Sequence, residues 1–87
     1  MASVLAISSK VGSPALLLRF LTEEVHHPVR SVTVRISQTG GFGSVLLTER
    51  RWGAIVDVTS VANEISEYIS RTTAFEASIT IFASDEV

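Results

Sequence analysis

The chain has 87 residues, enough for a single domain (1–87) and too few for a second. Hydrophobic residues make up 46% of it and charged residues 18%, against the ~25% charge usual for globular proteins. That balance excludes a disordered chain and leaves a surface short of charge. A net charge of −2, with Lys10 as the only lysine beside six arginines, argues against nucleic acid as a partner, because that binding is driven by Lys and Arg contacts to phosphates.

Cysteine is absent, which removes disulfides, thiolate metal sites and Cys nucleophiles. The first twelve residues lack a basic region and a long apolar run, so no signal peptide is expected. No apolar stretch reaches the ~20 residues of a spanning helix. The expectation is a soluble, cytoplasmic protein without membrane contact.

Residues 3–9 read as a first strand. Val4, Leu5, Ala6 and Ile7 are apolar on both faces, which suggests a central strand. Ser13 and Pro14 then offer an N-cap and a first helical residue. Residues 14–26 read as a helix whose core stripe is Leu17, Leu21 and Val25, widened by Leu18 on one side and by Leu16 and Phe20 on the other. Either this helix is wedged between neighbours, or Leu16 and Phe20 face a partner.

Pro28 ends the helix. Residues 29–37 alternate, with Val32, Val34 and Ile36 on one face and Thr33 and Arg35 on the other, as in a half-buried strand. Residues 39–43, TGGFG, read as a tight turn with Phe42 at its tip. Residues 44–58 are ambiguous. Val45 and Leu47 have one parity, while Trp52, Ala54, Val56 and Val58 have the other, which implies a bulge near residues 51–53. A hairpin turning at residues 49–53 or a short helix over 44–51 are the alternatives.

Thr59 and Ser60 offer a cap for a second helix, residues 60–72, with a stripe of Val61, Ile65, Tyr68 and Ile69 and with Glu64 in its first turn. Residues 75–83 alternate again: Phe75, Ala77, Ile79 and Ile81 inward, Glu76, Ser78, Thr80 and Phe82 outward. The predicted core is Leu17, Leu21, Val25, Val34, Ile36, Ile65, Ile69 and Ile79. The sequence thus predicts an α+β fold of order β-α-β-β-α-β: a split βαβ (ferredoxin-like) two-layer sandwich with an antiparallel sheet, strand order 4-1-3-2 and two helices on one face.

Nothing in the sequence forms a catalytic or metal-binding motif. His26 and His27 are adjacent, so on a helix they diverge by about 100° and do not chelate one metal; a solvated helix end is expected, and an enzyme using either histidine is the weakest of three functional readings. Glu23 with Glu24, Glu64 with Glu67 and Asp85 with Glu86 read as solvated carboxylates rather than an acid/base pair in a cleft. Residues 40–43 lack the Lys and following helix of a phosphate loop. No catalytic residue, metal site or cofactor is expected.

Arg50, Arg51 and Trp52 are residue types enriched in interface hot spots. The alternative is that Trp52 packs in the core while the arginines pair with Glu49 and Asp57. RNA-recognition domains carry stacking aromatics on their first and third strands; here the first strand has none and the third only Trp52. The segment VGSPALL, residues 11–17, resembles the start of the first helix in ACT-type regulatory domains, with Ala15 in place of the usual Gly and without the usual preceding Asp. That resemblance implies a small-molecule-sensing domain with a pocket between protomers near residues 10–13.

The leading functional expectation is a non-enzymatic protein–protein interaction module, a self-assembling component, adaptor or inhibitor, of a size that also suits a virus-encoded accessory protein. It would bind a protein partner or itself as a homo-oligomer, through Leu5, Ile7, Arg35, Phe42, Arg50, Arg51, Trp52 and Phe82.

Overall fold

The computed structural model of the chain describes residues 2–8, 14–40, 42–72 and 77–87. It runs as β1 (Ala2–Ser8), α1 (Pro14–Arg19) continuing into a wider π-helical segment (Phe20–Glu24), β2 (Ser31–Gly40), β3 (Gly43–Trp52), α2 (Val58–Thr72) and β4 (Ser78–Ser84). The element order is the expected one, and the class is α+β, with one four-stranded antiparallel sheet and two helices.

The strand order is β1-β4-β2-β3, not 4-1-3-2. The strand pairs within each half are as expected, β1 with β4 and β2 with β3. The seam between the halves runs from β4 to β2 rather than from β1 to β3. This departs from the ferredoxin-like order and makes β1 an edge. Apolar residues on both faces of β1 suggested a central strand, but they do not identify one here, because in two layers each strand has one covered face.

The centre is marked instead by clean alternation. Val32, Val34 and Ile36 of β2 stand opposite Ala83, Ile81 and Ile79 of β4, and all six are at most 1% exposed. Leu17, Phe20, Leu21 and Val25 from the first helical stretch and Val61, Ala62, Ile65 and Ile69 from α2 close over them in one cluster. Every residue of the predicted core is buried. Phe20 is buried too, so the wedged-helix reading holds for it, while Leu16 is half-buried on the flank.

The first helix opens with Pro14 as expected and changes character at Phe20. The Val25 N–H reaches back five residues to the Phe20 carbonyl at 3.1 Å, the bond of a π turn. Leu17, Leu21 and Val25 are spaced by four, and each such step overshoots a 3.6-residue turn. One wide turn absorbs the excess and keeps Val25 over the core. The helix ends at Glu24, two residues before the expected end.

The ambiguous stretch contains one strand, β3, and then a short loop. Neither the short helix nor the hairpin at 49–53 forms. Its bulge lies at Leu47, not at residues 51–53: Ile36 faces Thr48 while Ser37 faces Leu46, so Leu47 is the extra residue. The parity change is real, since Val45 and Trp52 come to the same side, opposite Gln38 and Val32. Beyond β3, Ala54 takes a φ of 52°, and the Ile55 N–H donates to the Arg30 carbonyl at 3.0 Å.

Asp57, not Thr59 or Ser60, caps α2. Its carboxylate accepts from the Thr59 N–H at 3.1 Å and from the Ser60 hydroxyl at 2.8 Å. The helix therefore starts two residues early, at Val58, and Glu64 falls outside its first turn. The expectations for Ser13, for residues 10–13 and for Phe75 and Glu76 lie outside the described residues.

Candidate functional site

The register of the sheet sorts the candidate residues by face. Leu5 and Ile7 stand opposite Ile81 and Ile79, on the helix side, half-buried against the core. Val4 and Ala6 take the open face instead. Across that face Val4 lies beside Phe82, Phe82 beside Thr33, and Thr33 beside Arg51; one step along, Ala6, Thr80, Arg35 and Glu49 form the next row.

Phe82 is therefore on the open face as expected, but it is not bare. The Arg35 guanidinium lies 5.0 Å from its ring centroid, and the Arg35 Nε–H donates to a Glu49 carboxylate oxygen. Glu49, Arg35 and, diagonally from it, Phe82 form a charged and aromatic chain of contacts beside Val4 and Ala6. The face is mixed rather than a broad apolar patch.

Arg50 and Trp52 project to the other side of β3, against α2. Trp52 is 8% exposed, so it packs in the core. Its ring meets Tyr68 edge-on, with centroids 5.6 Å apart. Arg50 covers both rings, its guanidinium carbon 4.7 Å from the Trp52 centroid and 5.7 Å from that of Tyr68. The Tyr68 and Thr48 hydroxyls share a hydrogen bond of 2.7 Å. The Trp52 Nε1–H is buried with no partner among the described residues. The arginines do not take the expected carboxylates: Glu49 holds Arg35, and Asp57 holds the start of α2.

A further set of exposed apolar side chains lies on and beside β3. β4 begins at Ser78, opposite Ser37. Past that point β2 and β3 continue as a two-stranded ribbon through the pairs Gln38–Val45, Thr39–Ser44 and Gly40–Gly43. This arm carries Phe42 at its tip and Val45, exposed at 65%; Leu46 and Leu47, exposed at 54% and 53%, lie at its base, where Ser37 still faces Ser78. Phe42 was legible from the turn. The other three escaped sequence reasoning because their run served only to locate a bulge. Three apolar residues in succession on a hairpin strand were the signal, since they cannot all face one core.

Two-stranded ribbons are marginal alone. The outer strand of the arm is also a sheet edge: β3 has no strand on its far side among the described residues. Edge strands in natural proteins are usually blunted by charge, proline or a bulge. β3 has the bulge at Leu47 and charges at Glu49, Arg50 and Arg51, but none over residues 43–48.

His26 is exposed; the His27 Nε2 lies 3.5 Å from the Ser3 hydroxyl and its Nδ1 3.3 Å from the Pro28 carbonyl, both longer than the ~2.6–3.2 Å of an activated nucleophile. Glu23 pairs with Arg19 across one helical turn at 3.4 Å, with both side chains well exposed. Hydrogen bonds from Ser60 hold the Asp57 carboxyl below its ordinary value of 3.8, as a cap requires. Among the described residues no three His, Asp or Glu side chains converge on a metal position, and no helix is long and apolar enough to cross a membrane.

Comparison with protein-family models, with curated proteins and with solved structures found no match to this chain.

Proposed function

We propose that this chain is a non-enzymatic protein–protein interaction module that docks a protein partner along the β3 edge and the β2–β3 arm. The observation that carries the reading is the exposure of Phe42, Val45, Leu46 and Leu47 along the β3 edge and at the hairpin tip. Single exposed apolar residues are ordinary. A run of them on an open strand edge offers both backbone pairing and apolar burial, the two ingredients of strand addition.

The mixed face, with Arg35, Arg51 and Phe82, forms the flank of this surface, in keeping with the polar rims of interfaces. The net charge of −2 supports a protein rather than a nucleic-acid partner. A photo-crosslinking residue at position 46 tests the reading in cells, with position 63 on the solvated side of α2 as control. Discrete protein adducts from position 46 alone are expected. An absence of adducts, or the same adducts from both positions, overturns it.

A further inference from the structure

We draw no further inference here: the strongest candidate, the exposed apolar stretch of Val45, Leu46 and Leu47 on the edge strand β3 with Phe42 at the neighbouring hairpin tip, carries nothing beyond the docking surface already described, because nothing in the structure shows what covers it.

Discussion

Leu21 and Leu46 are the same side chain in opposite circumstances. Leu21 is 4% exposed within the core cluster, whereas Leu46 is 54% exposed on the edge strand, at the base of the ribbon. Around Leu21 every level of organisation agrees: the four-residue spacing, the π turn that preserves it, and the alternation of the strands beneath. Around Leu46 the local pattern has no matching layer to meet. The body of the molecule buries its hydrophobic residues, and the outer part of β3 leaves its own exposed.

The sharpest way to break that contrast is to truncate its buried member. Leu21→Ala should destabilise the fold by about 2–5 kcal/mol, from lost burial and the cavity left behind. Urea unfolding followed by Trp52 fluorescence measures it. A loss below about 1 kcal/mol would mean that the helices do not clamp Leu21 as described.

The body was legible in the sequence for this reason. A stripe such as Leu17, Leu21 and Val25, or an alternation such as Val32, Val34 and Ile36, states its own buried face. The strand order was not legible, because β1 is apolar on both faces and its residues do not say which strand lies beside it. The same ambiguity misdirected the candidate surface. Leu5 and Ile7 were interchangeable with Val4 and Ala6 until the register opposite Ile81 and Ile79 chose between them. Trp52 was drawn toward a partner by its type, and its burial against Tyr68 depends on where α2 lands. The exposed stretch of β3 was missed because its exposure follows from β3 standing at the edge of the sheet, a fact about strand order.

A smaller loss is expected at the junction between the two regions, where β3 hands the chain to α2. Asp57→Ala removes the acceptor of the Thr59 and Ser60 hydrogen bonds and should lower the urea midpoint by less than Leu21→Ala does. The carboxyl is held below its ordinary value of 3.8, chiefly by the Ser60 hydroxyl. A depressed value in the folded state means that its contribution is fully present above the ordinary value and is lost as pH falls through the folded one. Asp57→Asn should therefore show a shallower decline in stability on acidification below about pH 4 than the wild type. Identical acid limbs would sink the assignment of Asp57 as the cap.

On the open face, Arg35 and Glu49 link the strand pair that leads into the arm. Both side chains are substantially exposed, at 53% and 41%, so a double-mutant cycle should give a coupling of about 0–1 kcal/mol that shrinks with added salt. A coupling well above that range would show that the chain of contacts from Glu49 through Arg35 to Phe82 is a rigid part of the body, and the boundary between body and arm would move outward.

The smallest effect is the most informative one. Leu46→Ala removes the same atoms as Leu21→Ala, yet at protein concentrations too low for association it should change stability by no more than about 0.5 kcal/mol, the range of ordinary surface positions. The side chain is already half in water, and the alanine still fits the ladder opposite Ser37. As concentration rises the two proteins should part company. Self-association through β3, one form of the proposed docking, would bury Leu46 and stabilise the wild type by mass action more than the variant, so the urea midpoint of the wild type should climb with concentration while that of Leu46→Ala climbs little. Parallel midpoints at every concentration would mean that Leu46 is exposed without consequence. A large loss at the lowest concentration would mean that the arm folds back on the body and that the contrast with Leu21 is false.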